Sequence, residues 1–266
     1  MEIKLNNVCT KKLKNINIKF TDKEITALVG NVKSIKKDII NVICGLEKIT
    51  SGEIKYGRRK QDESITEERM LDIKKNIFYV RENSNGMLFN INIKEDIKFY
   101  LDEYDELRLG ELFKSFNLNE NLLENSYLDL SSSEVRKILL IIGLMSNTKI
   151  LILENFNITL DNKSVQTLIK ELRKLKRQEK IILITSYNSD FLLQVSDNIV
   201  VVDDNIVIKE GDKYEILSNE NLLEKLNLEV PKVLEFINKV KELKNIKLGY
   251  RDNINDLIKD IYRYAK

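Results

Sequence analysis

Apolar residues fall along this chain in two rhythms, and the change from one to the other divides it. Near the start, EIKLNNV (2–8) and INIKF (16–20) alternate apolar with polar positions, the period of a strand covered on one face. EITALVG (24–30) and GEIKYG (52–57) read as further strands, set around a first helix near Asp38 to Cys44. After a charged connector, NIFYV (76–80) is another short strand. From Ile93 to Met145 the spacing turns helical, with apolar residues three and four apart in IKEDIKFYL, LRLGELFKSFNL and EVRKILLIIGLM.

Strands return with KILILEN (149–155), IILITS (181–186) and NIVVVDD (198–204), the first two separated by the helix VQTLIKELRKLKRQ. Near-continuous apolar runs of this kind mark parallel strands buried on both faces. Beyond Asp212 the pattern is helical again, through EILSNENLLEKLNL, PKVLEFINKVKELK and NINDLIKDIYRYAK, with Pro231 as a helix-start signal. The alternation predicts an α/β fold with a parallel or mixed sheet and covering helices. The expected organisation is a main domain over 1–211, a helical subdomain inserted at about 90–145, and a helical extension over 212–266.

Composition narrows the function classes. A chain of 266 residues, 42% hydrophobic, can bury a sizeable core. Lys+Arg of 44 against Asp+Glu of 42 leaves a net charge of +2, mixed along the chain, so no nucleic-acid surface is expected. No stretch reaches the roughly 18 apolar residues of a spanning helix, and MEIKLNNV lacks an apolar signal region. Any membrane connection is therefore expected through a partner. Cys9 and Cys44, far apart in apolar surroundings, fit small buried thiols in a reducing cytoplasm better than a disulfide. The absence of histidine removes the commonest general base and metal ligand, and no resident metal is expected.

Between the strand EITALV and the helix IINVICGL lies GNVKSIKKD (30–38), where a phosphate-binding loop of the form G-x-x-x-x-G-K-[ST] would stand. Gly30 and Lys36 hold their places, and the helix beginning near Asp38 presents a positive dipole end. Ile35 occupies the second glycine position, and Lys37 replaces the hydroxyl that would ligate magnesium. An ammonium has no lone pair for a cation and repels it. A solvated basic loop accounts for Lys33, Lys36 and Lys37 equally well.

The segments become specific when taken in order. ALVGNVKSIKKDIINVICGLEKITSGEI resembles the loop-and-helix entry of ABC-type ATPases, and LDLSSSEVRKILLIIGLMSNTKILILENFNITLD resembles their signature, Walker B and D-loop stretch. IFYVRENSNGMLFNINIKEDI and SNENLLEKLNLEVPKVLEFINKVKEL are similar to the Q-loop region and the C-terminal extension of the ATPase subunits of energy-coupling factor transporters. The resemblance covers essentially the whole chain and implies an ABC-type P-loop NTPase fold. It also implies ATP and Mg as ligands, and a second ABC-type ATPase subunit, a transmembrane coupling protein and a substrate-capture membrane protein as partners. The implied place is peripheral, at the cytoplasmic face of the membrane, in uptake of a vitamin or metal ion.

Carried over residue by residue, the resemblance puts Glu82 at the Q-loop glutamine and Ser186 at the switch histidine. Asp161 lies seven residues after Glu154, the D-loop spacing, so Glu154 takes the magnesium-orienting Asp position and Asn155 that of the catalytic Glu. A register making Glu154 the base would break that spacing. Asn155 cannot accept a proton from attacking water. The N-terminal aromatic that stacks on adenine has no counterpart in NNVCTKKLKN. The signature reads LSSSE: Ser131 stays at the hydroxyl that meets a partner's γ-phosphate, Ser132 and Ser133 replace glycines, and Glu134 adds a negative charge. The same SSSE fits a helix N-cap with a capping box.

Three readings follow from this uneven loss. In the first, the chain is an impaired half of an ATPase heterodimer that lends Ser131 and Asp161 to an active partner. In the second it is a non-catalytic structural subunit, and in the third an active ATPase with divergent motifs. Around Asn83 to Phe99 the resemblance implies a groove for the transmembrane protein, lined by Met87, Leu88, Phe89 and Ile91 or else filled by them as core.

Overall fold

The computed structural model describes residues 1–31, 34–57, 74–84, 86–244 and 248–264, so Lys33 and most of the charged connector lie outside the described residues. Two sheets organise the chain. The smaller is antiparallel, in the order β2-β1-β4, and joins β1 (Glu2–Cys9), β2 (Ile16–Thr21) and β4 (Ser51–Tyr56). Alternation in β1 turns Ile3, Leu5 and Val8 inward.

The larger sheet has the order β5-β6-β7-β3-β8-β9, with β3 (Ile25–Val29), β5 (Ile77–Val80), β6 (Ile150–Glu154), β7 (Ile181–Thr185), β8 (Asn198–Asp203) and β9 (Ile206–Asp212). Its pairs are parallel except β8 with β9, which makes the sheet mixed. Every residue of β3, β6 and β7 is buried, as continuous apolar runs require. One face of these strands, through Leu28, Ile152 and Val200, packs on α1 (Lys36–Ile43) and the smaller sheet. The other face, through Ala27, Leu153, Ile184 and Val201, packs on the remaining helices.

Those helices are α2 (Ile93–Leu101), α3 (Glu106–Ser115), α4 (Ser132–Met145), α5 (Asn162–Arg177) and α6 (Ser189–Val195), followed by α7 (Lys213–Leu217), α8 (Glu220–Lys225), α9 (Lys232–Lys244) and α10 (Ile254–Tyr264). The run from Ile138 to Leu144 in α4 is buried all round, so this helix is interior. Leu217, Leu223, Leu234 and Leu257 from the last helices belong to the same core as α4 and α5.

Several expectations are corrected. The strand β9 and the helix α6 add elements that the apolar pattern did not announce. EILSNENLLEKLNL is broken into α7 and α8, because Asn219 caps a new helix by accepting from the Leu222 N–H. Pro231 stands just ahead of α9, its carbonyl accepting from the Glu235 N–H. Both cysteines are free, Cys44 buried but Cys9 only half-buried. No helix among the described residues is long and apolar enough to cross a membrane.

Candidate functional site

Strand order decides where chemistry can gather. In an open parallel sheet, ligands sit beyond the carboxyl ends of the strands, where neighbouring connections diverge. Here β3 ends at Gly30, β5 runs into Glu82, β6 ends at Glu154 and Asn155, and β7 ends at Ser186. The topology thus brings Gly30, Lys36, Glu82, Glu154, Asn155 and Ser186 to one end of the sheet.

Gly30 is required by a close approach: a Cβ there would lie 2.3 Å from the Val202 carbonyl oxygen. Lys36 is buried and turned back on its own loop. Its Nζ donates to the Gly30 carbonyl at 2.6 Å, the Asn31 carbonyl at 2.7 Å and Ser34 Oγ at 2.9 Å. The Tyr187 ring lies over the ammonium, 4.7 Å from it to the centroid. Burial pushes the Lys36 pKa down to about 8, against the opposing pull of Glu154 and Glu82. Ile35 sits at the cap of α1 with an ordinary φ of −74°, and its side chain is buried in the core under the smaller sheet. It therefore turns away from the loop's polar face. Lys37 is exposed, and Asp38, in the first turn of α1, takes an ion pair from Lys12 at 2.9 Å.

The carboxylates and amide are also engaged. Glu154 Oε2 accepts from the Tyr79 hydroxyl at 2.7 Å and from the Glu82 N–H at 3.1 Å. Asn155 Nδ2 donates to Glu82 Oε2 at 2.9 Å, which leaves the amide nitrogen a donor and no base. Asn155 has φ 46°, a left-handed conformation that asparagine tolerates better than most residues. Ser186 Oγ donates to Asn157 Oδ1 at 2.7 Å and accepts from the Asn188 N–H. Beneath them Arg136 of α4 donates to the carbonyls of Glu82, Glu154 and Asn155 at 2.8, 3.0 and 3.0 Å. Lys36 and Arg136 face Glu82 and Glu154, so the cluster neutralises itself.

The second group lies apart from this one, along the start of α4 and α5. Ser131 caps α4: it accepts from the Glu134 N–H, while Glu134 Oε2 receives bonds from the Ser131 N–H and hydroxyl at 2.8 and 2.7 Å. Those bonds to Ser131 hold the Glu134 pKa below the usual carboxylate range. The capping box is present, and Ser131 and Ser132 remain exposed. Ser133 Oγ donates to the Thr159 carbonyl at 3.0 Å. Asp161 caps α5, with Lys137 3.5 Å away. The Ser164 N–H bond foremost lowers its pKa to about 2.

Sequence reasoning missed Tyr79, Arg136 and Tyr187. Tyr187 neighbours Ser186 in the chain, but nothing in the apolar pattern aims Arg136 at Glu82 across α4. Between the groups, Glu82, Leu88, Tyr127, Leu128, Val135 and Arg136 line a cleft of about 730 Å³. The proposed groove residues divide: Met87 and Leu88 are core, while Phe89 and Ile91 are 51% and 88% exposed. Asp96, fully buried, accepts from the Phe89 and Asn90 N–H groups at 3.0 and 3.1 Å and so holds this turn.

No ATP or magnesium geometry follows from the strand-end cluster. A magnesium site needs oxygen donors; here Lys37 offers an ammonium, and Glu154 Oε2 already accepts from Tyr79 and Glu82.

Comparison with known proteins agrees with the fold. Residues 13–156 match the ABC transporter family. The energy-coupling factor transporter ATP-binding protein EcfA2 of Clostridium acetobutylicum is 30% identical over 87% of this chain and 83% of its own. EcfA3 of Oenococcus oeni is 27% identical over 92% of this chain and 86% of its own. The solved structure of cbiO1 from Clostridium perfringens, part of the ABC transporter complex cbiONQ, superposes with a TM-score of 0.67 at 21% identity, over 89% of this chain and 98% of that one. The chain belongs to the ABC transporter family, and within it to the ATP-binding proteins of energy-coupling factor transporters.

Proposed function

We propose that this chain is the impaired half of an ATPase pair in an energy-coupling factor importer, lying peripherally at the cytoplasmic face of the membrane. Its own strand-end site does not hydrolyse ATP; it offers Ser131 and Asp161 to nucleotide held by a second, intact cassette. The body over 1–211 carries both groups, and the extension over 212–266 adds contacts within the assembly. One observation carries this reading: Lys36, Glu154 and Asn155 at the strand ends are buried and hydrogen-bonded within the chain, whereas Ser131, Ser132 and much of Asp161 stay open to solvent. A buried ammonium bonded to its own loop is less available to phosphate, while the exposed start of α4 presents a positive dipole end to solvent.

Ser131→Arg, assembled with an intact cassette and the membrane subunits, is expected to cut ATP turnover of the complex about tenfold or more, by filling the place of the phosphate. Unchanged turnover contradicts the reading. The cleft beside Glu82 and Leu128 is the proposed seat of the transmembrane coupling protein.

A structural, non-catalytic role is favoured by one feature. The Ser131 hydroxyl is already bonded to Glu134 at 2.7 Å, as an ordinary cap would have it. In that case Ser131→Arg leaves turnover untouched.

A further inference from the structure

The proposal that this chain's own site is silent leaves open what keeps it so, and the contacts around Lys36 answer it. An ammonium offers its protons in all staggered directions, and here they are taken by the Gly30 carbonyl, the Asn31 carbonyl and Ser34 Oγ. Among the described residues, the Tyr187 ring covers a further face of the charge at 4.7 Å. A cation against an aromatic face is attracted to the ring quadrupole, the more so where water is excluded. The ring is itself placed: Asn188 follows it as the N-cap of α6, accepting from the Phe191 N–H at 2.9 Å, and the Asn155 side chain lies near the hydroxyl end of the ring. Asn155 is fixed in turn by Glu82.

We propose that Tyr187 is the residue that closes this chain's own anion site, its ring occupying the face of Lys36 that a phosphate would approach. A phosphate must displace the ring before it reaches the ammonium, so the site excludes nucleotide by an in-chain competitor as well as by lost ligands. The ring matters here and the hydroxyl does not, which separates Tyr187→Phe from Tyr187→Ala. The inference rests on the reading of the strand-end cluster as a disused nucleotide site.

The test is calorimetric titration of the full-length chain with ATP, without magnesium. Tyr187→Ala is expected to bind ATP about tenfold or more tightly than the unaltered chain, and Tyr187→Phe to match the unaltered chain. Adding Lys36→Ala to Tyr187→Ala should return binding to its starting level. Equal affinity in Tyr187→Ala and the unaltered chain overturns the proposal, as does a gain that survives Lys36→Ala. Tyr187→Ser provides the same comparison if the alanine variant loses its cooperative thermal transition. No gain in Tyr187→Ala alongside a loss of complex turnover in Ser131→Arg overturns the closing role of Tyr187 and leaves the lending of Ser131 standing. A gain in Tyr187→Ala with Ser131→Arg inert supports the closing role and removes the lending.

Discussion

Lys36 is where spacing from Gly30 places it, yet its ammonium faces inward and not toward a ligand. That orientation has a thermodynamic signature. A lysine whose pKa falls to about 8 on folding, from an ordinary 10.5, binds fewer protons folded than unfolded between those values. Stability due to this group therefore rises with pH through that window and is flat below it. Relative to Lys36→Met, the unaltered chain is expected to gain stability as pH is raised from about 8 to 10.5, read from denaturant midpoints at each pH. A constant difference between the two contradicts the burial of this charge. The identities of Gly30, Lys36 and Glu154 were legible because loop and strand spacing fix them. Their partners were not: Tyr187 reaches Lys36 only once β7 lies beside β3, and Tyr79 reaches Glu154 only once β5 lies beside β6.

Helix α4 joins the two groups of residues. Its first turn presents Ser131 in a capping box that the sequence SSSE announces by spacing alone. One turn further in, Arg136 reaches three main-chain carbonyls from the β5 and β6 ends and stacks on the Phe156 ring at 4.9 Å. Removing the guanidinium strands those buried carbonyls. Arg136→Met is expected to destabilise the chain by about 3 kcal/mol, and a thermal midpoint within a degree or so of the unaltered chain contradicts that strut. Elements with a buried face were legible from their pattern, whereas β9 was not. It is an edge strand whose Ile206 and Ile208 are 51% and 46% exposed, so its alternation carries no strong burial signal. In α6, a seven-residue helix, the buried run FLLQV is too short for helical periodicity to declare itself.

Across the whole molecule the sheet divides the work. The carboxyl ends of the parallel strands hold a closed, self-neutralised cluster, while the starts of α4 and α5 offer exposed groups, with the cleft of about 730 Å³ beside them. If that cleft seats the transmembrane protein, the exposed Ile91, three residues beyond its lining residue Leu88, is expected to extend the contact. Ile91→Asp should then abolish co-purification with the membrane subunits while leaving the thermal midpoint unchanged, because a surface side chain 88% exposed carries little stability. Retained co-purification places the membrane contact elsewhere. Asp96 is unsuited to a charge-reversal test because it holds the turn from within. The fold class was legible throughout, since alternation and buried runs report which faces are covered. The contacts within the site were not legible, because side-chain contacts across the sheet leave no periodic trace. The central claim concerns the asymmetry of the two halves, and one paired measurement meets it: ATP turnover of the assembled complex carrying Ser131→Arg or Lys37→Glu in this chain. A loss of about tenfold or more is expected for Ser131→Arg and unchanged turnover for Lys37→Glu, which is exposed beside the strand-end cluster. Loss with Lys37→Glu and none with Ser131→Arg contradicts the claim.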